Sequence, residues 1–201
     1  MAWPRASGGA LIDESDAMEA RADRLLSHDS EQTRAAFALV MAANLTTASH
    51  RGRGRCEQAL RQCFNDPSTR VRDAAARFFR HLRDDGWREF AELIEAFIAS
   101  QAFSDGRHWF TQALEKSSSI PTELVHAIFE RGIELVRRSL GRRDEVMPGI
   151  YRRLPPSPLL RLHERDDSEQ GRRQCLDLID EMFRLGIGSR LEEAIRPVER
   201  S

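Results

Sequence analysis

The side chains best suited to general acid–base work or metal ligation are the six histidines, His28, His50, His81, His108, His126 and His163. None is paired at the i,i+4 spacing that would put two imidazoles on one helix face, so no metal site is visible. The thiols are Cys56, Cys63 and Cys175. Cys175 as a nucleophile would need a base such as His163, and no spacing establishes that pair. Cys56 and Cys63 are seven residues apart, on one helical face inside an apolar stripe, which is the pattern of core packing. Asp177, Asp180 and Glu181 bring carboxylates together. Arg173 lies four residues before Asp177 and Arg184 four after Asp180, so ion pairing along a solvated helix accounts for them without chemistry. The pairs Asp84-Asp85 and Asp166-Asp167 fall in turns. No catalytic, cofactor-binding or metal-ligating residue is therefore assigned. Lys116 is the only lysine, and no glycine-rich loop precedes it, which excludes a phosphate-cradling loop of the GxxxxGK[ST] type in this sequence.

Two arginine clusters remain. Arg51, Arg53 and Arg55 alternate with Gly52 and Gly54, a composition read as a loop able to contact an anionic ligand or backbone, and this is the candidate contact site. Arg137, Arg138, Arg142 and Arg143 gather where a helix is expected to end, a position that also complements the helix dipole. The whole chain carries 31 basic and 32 acidic residues, a net charge of −1, so composition does not point to nucleic acid or an anionic membrane. Three dispersed cysteines make no disulfide framework and fit a reducing, cytoplasmic setting. No apolar run reaches the ~18 residues of a membrane span.

The elements that must position these groups are helices. Apolar residues recur at helical spacing in five segments: Phe37, Val40, Met41 and Leu45; Cys56, Ala59, Leu60, Cys63 and Phe64; Val71, Ala74, Ala75, Phe78 and Leu82; Phe90, Leu93, Ile94, Phe97 and Ile98; Cys175, Leu178, Ile179 and Met182. Strict alternation is absent. Pro67, Gly86, Gly106, Pro121, Gly141, Pro148 and Gly186 fall between stripes, and Leu154-Pro155-Pro156-Ser157-Pro158 must interrupt any helix. The expectation is an all-α chain of about ten short helices, with residues 1–12 as a flexible tail and 13–201 as one helical domain.

The chain also resembles itself. Asp-Ser-Glu-Gln-Thr-Arg at Asp29–Arg34 recurs as Asp-Ser-Glu-Gln-Gly-Arg at Asp167–Arg172, and a related turn, Asp66–Arg72, lies 37 residues beyond the first. A period of that size with paired helices is the size of an α-solenoid repeat. Asp66-Pro67, Val71-Arg72 and Ala75 resemble the turn and inner helix of the HEAT repeat. That resemblance implies an α-α superhelix in which Asp66 and Arg72 bridge successive repeats, with Asp29/Arg34 and Asp167/Arg172 as equivalents. Pro158 to Ile195, through Arg161-Leu162, Cys175–Asp180, Gly186 and Gly188, is similar to the C-terminal end of bacterial helical-repeat proteins that carry a NACHT or related STAND-type NTPase module. This implies an antiphage or conflict-sensing context, with an NTPase or effector chain as partner, and leaves open that the sequence is the C-terminal part of a larger sensor.

The functional expectation is a non-enzymatic, cytoplasmic protein-interaction or sensing module without a cofactor, binding another protein and not a membrane. The alternative is a nucleic-acid binder. Some HEAT-like proteins are DNA glycosylases for alkylated bases that grip the duplex with Trp, Asp and Arg, and Trp87, Trp109 (beside His108) and Asp105 supply those residue types.

Overall fold

The computed structural model describes residues 16–45, 50–106, 108–141 and 149–187. Among these residues the chain is all-α: eleven α-helices, two 3-10 turns and no strand. None of these helices is long and apolar enough to cross a membrane. The expected tail, 1–12, and Arg142, Arg143 and Pro148 lie outside the described residues. The helices fall into two compact units, one holding the described residues up to His81 together with Ser100–Ala102, the other Leu82–Ala99 and the described residues from Phe103 onward.

The first unit contains α1 (Asp16–Leu26), α2 (Glu31–Asn44), α3 (His50–Cys63) and α4 (Thr69–Ala76), followed by a 3-10 turn at Arg77–His81. The helix α2 packs on both α3 and α4, and α1 lies against α2 and α3. The packed helices α2 and α4 both bury mostly small residues, Ala35, Ala38 and Ala42 on α2 and Ala74, Ala75 and Ala76 on α4. Short side chains let two helix axes approach closely. The apolar stripe expected on α2 is only half right. Met41 and Leu45 are buried, but Val40 is exposed, because the face turned inward is the alanine face. On α3, Cys56, Ala59, Leu60 and Cys63 are all buried, with Phe64 just beyond. The end of α3 is tied down by the segment Ser100–Ala102: the Ala102 amide donates to Phe64 O (3.0 Å) and the Gln101 amide to Asn65 Oδ1 (3.2 Å).

The second unit contains α5 (Gly86–Glu89), α6 (Ala91–Ile98), the end of α7 (Gln101–Ser104), α8 (His108–Lys116), α9 (Thr122–Leu140), a 3-10 turn at Gly149–Arg152, α10 (Ser157–Arg165) and α11 (Glu169–Leu185). The longest helix, α9, packs on α6, α10 and α11, and α8 packs on α10. Phe97, Phe103 and Phe110 form a buried ring cluster with centroids 5.0–6.1 Å apart, inclined rather than stacked, as ring quadrupoles favour. The prolines at 155, 156 and 158 act as read from the sequence: α10 begins at Ser157, with Pro158 in its first turn, where a missing amide hydrogen costs nothing. Gly186 ends α11 in the left-handed conformation (φ +68°), with the Ile187 amide reaching Met182 O and the Gly186 amide Phe183 O, a Schellman closure.

Candidate interaction surface

Three helix starts share one construction. Ser30, Ser68 and Ser168 cap α2, α4 and α11, accepting from the Thr33, Arg70 and Gly171 amides. Two residues before each serine, a side chain accepts the serine's own amide hydrogen: His28 Nδ1 at 3.0 Å, Asp66 Oδ1 at 2.8 Å and Asp166 Oδ1 at 2.8 Å. Four residues after each serine, an arginine turns back to the carbonyls before the cap. Arg34 donates to His28 O and Asp29 O, Arg72 to Asp66 O and Pro67 O, and Arg172 to Asp166 O. The serine therefore sets the register. The structural counterparts of Asp66 are His28 and Asp166, whereas Asp29 and Asp167 stand in the place of Pro67. Aligning the turns by their aspartates shifts the first and last by one position.

The first two turns are bridged. Arg34 gives Asp66 a forked pair, Nε to Oδ2 at 2.7 Å and Nη2 to Oδ1 at 3.1 Å, with side chains only 14% and 9% exposed, and Ser68 Oγ donates to Glu31 Oε2 at 2.7 Å. Burial alone would raise the Asp66 carboxyl. The hydrogen bonds from Arg34 and the Ser68 amide, with the charges of Arg34 and Arg72, pull it below its ordinary value instead. Arg34 is raised, chiefly by its bond to Asp66.

Arg53 and Arg55 are not in a loop. Both belong to the first turns of α3, both are half-buried and both already have partners. Two glycines cost a helix roughly 2 kcal/mol together, but the Cys56–Cys63 stripe that follows pins the helix to the core. The side chain of Arg51 lies outside the described residues. In the second cluster, Arg137 bonds Glu181 of α11 (2.8 Å) and Arg138 bonds Glu134 on its own helix. Two further arginines hold the end of α8 and the loop after it, Arg161 donating to Leu114 O (2.8 Å) and Arg165 to Ser118 O (3.3 Å) and Ile120 O, while Arg153 holds the turn before α8 by donating to Gly106 O (3.0 Å).

Trp87 is fully buried and its Nε1 donates to Ser117 Oγ at 2.7 Å, so it is a core residue and cannot face a duplex. Trp109 is partly exposed beside the exposed His108 ring, 5.4 Å between centroids, and Asp105 sits in the turn before α8. The three thiols are buried, and burial pushes Cys56 up to about 11 and Cys63 up to about 12; Cys175 is raised by the same cause. His163 makes no hydrogen bond to Cys175 among the described residues. Nor do the described residues bring three or more His, Cys, Asp or Glu side chains together as a metal site.

A groove of about 390 Å³ lies between α9 and α11. Ile133 and Leu178 line its apolar part. Glu130, Asp177, Asp180 and Glu181 supply four carboxylates against the guanidiniums of Arg137 and Arg184. Arg184 pairs with Asp180 (2.7 Å), as its i,i+4 spacing suggests, and reaches Glu181 at 3.6 Å. The matching pair, Arg173 with Asp177, is not formed. The signal for this groove was in the sequence only as spacing: Glu130 and Arg137, like Gln174 and Glu181, are seven residues apart and so share a helix face.

No protein-family model, curated protein or solved structure matches the chain.

Proposed function

We propose that this chain is a non-catalytic helical-repeat module of the α-solenoid type, HEAT-like in its turns, that recognises another protein. The observation that carries this reading is the serine–arginine turn built three times along the chain, at Ser30, Ser68 and Ser168. Side-chain bonds join segments 30–47 residues apart in both units, including Arg34 to Asp66, Asp84 to Ser118, Trp87 to Ser117, Arg137 to Glu181 and Arg161 to Leu114. That spacing is what stacking of each helix pair on its neighbour requires. Such scaffolds act through extended faces. The similarity of Pro158–Ile195 to the ends of bacterial NTPase-linked repeat proteins supports a cytoplasmic defence or conflict-sensing role, with an NTPase or effector chain as partner.

The test is capture of partners by the full chain in its native host by crosslinking, followed by reconstitution from purified components and sedimentation analysis. A defined complex with a second protein that survives nuclease treatment is the expected result. Association that disappears with nuclease, together with binding to bare duplex DNA that falls steeply with salt, overturns the reading in favour of a nucleic-acid binder.

A further inference from the structure

We infer that the α9–α11 groove is the docking site for a basic, amphipathic helical segment of the partner protein. The inference rests on the interaction-module reading and gives it a surface and a partner chemistry. Charge sets the choice of occupant. Arg137 and Arg184 both turn onto Glu181, and Arg184 also holds Asp180, so the guanidiniums of the groove are spent on two of its carboxylates. Glu130 on α9 and Asp177 on α11 make no hydrogen bond or ion pair among the described residues, and both are exposed. Half-buried Leu178 and buried Ile133 line the groove with them.

That arrangement fits an arginine or lysine whose methylene stem lies along Leu178 while its charged head reaches Glu130 and Asp177. A neutral apolar segment would leave the two carboxylates partly desolvated without a counter-charge, and an acidic one would be repelled. Arg137 bonded to Glu181 closes the groove at one end. Glu130 and Gln174 stand seven residues earlier on the two helices, which leaves about two turns of helix for the contact.

The experiment uses the full chain and a fluorescein-labelled amphipathic peptide of leucine and arginine at helical spacing, read by anisotropy. A twin peptide carries glutamate in place of arginine, and spermidine serves as a competitor. Saturable binding of the arginine peptide alone is expected. The double variant Glu130→Gln, Asp177→Asn is expected to weaken it about tenfold, ~1.4 kcal/mol, with an unchanged thermal melt, since both side chains are solvent-facing. Leu178→Ala is expected to weaken it severalfold. Equal binding of both peptides, equal binding by the double variant, or full displacement by spermidine at the peptide's own affinity overturns the inference, the last in favour of a small-cation site. A self-association that the double variant abolishes also overturns it, in favour of a second copy. If the peptide fails to bind while a partner protein still forms a defined complex, the groove assignment falls and the interaction-module reading stands; if neither binds, both fall.

Discussion

Asp66 is where one side chain holds two helix starts at once. It accepts a forked guanidinium from Arg34 and the amide of Ser68, so replacing it leaves a mostly buried arginine without its counter-charge and a cap without its turn. Asp66→Ala is expected to cost about 1–3 kcal/mol, the range for leaving a buried hydrogen-bonding group unsatisfied, measured as a shift in the urea midpoint. The sign with pH follows from the lowered carboxyl: its contribution is complete above the ordinary carboxylate range and is lost as pH falls through the depressed folded value. The wild type should therefore lose stability faster than Asp66→Asn on going from about pH 7 to about pH 3, so that the gap between them closes. A gap that stays constant would mean Asp66 acts through shape alone. Asp166, lowered by the hydroxyl and amide of Ser168, adds to the same acid sensitivity. The thiols behave oppositely. Cys56 near 11 and Cys63 near 12 are neutral at physiological pH as well as buried. Ellman's reagent at neutral pH is expected to titrate none of the three rapidly in the native protein and all three after denaturation. Rapid native labelling of Cys175 would reopen its candidacy as a nucleophile.

At the scale of helices, the features readable in the sequence were those fixed by local periodicity. The Cys56–Phe64 stripe is buried throughout, and the proline run separates α10 from the preceding turn, because these depend on residues within two or three turns of one another. What spacing alone could not resolve was set by tertiary neighbours. Val40 is exposed because α2 turns its alanine face inward; Arg53 and Arg55 are helical because the stripe after them overrides glycine's local preference. The groove depends on which faces α9 and α11 present to each other, and no single segment encodes that. The one difference between the two near-identical hexapeptides, Thr33 against Gly171, also becomes intelligible: a Cβ at 171 would overlap the Asp166 carboxylate, which occupies a place that His28 fills differently in the first turn. The Asp105-Gly106 and Gly149-Ile150 backbones meet within the second unit, and Gly106 has φ +63°; a Cβ on Gly106 would overlap the main chain of Gly149 and Ile150, and one on Gly149 that of Asp105. Gly106→Ala is expected to cost about 2–4 kcal/mol, combining left-handed strain with overpacking, and Gly149→Ala about 1–3 kcal/mol from overpacking alone. Gly86→Ala, which meets only the movable end of Leu82, is the control and should change the denaturation midpoint by less than about 1 kcal/mol.

Across the whole molecule, 31 basic residues against 32 acidic ones, with a single lysine, become a statement about construction. Arg34, Arg72 and Arg172 close helix starts, Arg153, Arg161 and Arg165 hold carbonyls around α8, and Arg131, Arg137, Arg138 and Arg184 pair with glutamate or aspartate. A guanidinium can serve two acceptors at fixed angles, which an ammonium on a flexible stem does less well. These ten arginines are structural fasteners, and a positive face for a polyanion does not follow from the abundance of arginine. Nucleic-acid binding is the function class on which this distinction bears. If Arg53 and Arg55 were contact residues, Arg53→Ala with Arg55→Ala would reduce affinity for duplex DNA and flatten its dependence on salt. Because both are half-buried in α3 with partners already in place, the double variant is expected to lower the urea midpoint instead. Duplex binding, followed by anisotropy from low to physiological salt, should remain weak and equal in both proteins. A steep salt slope in the wild type that the double variant removes would show that these arginines leave their intramolecular partners for phosphate, and the protein-binding reading would have to give way.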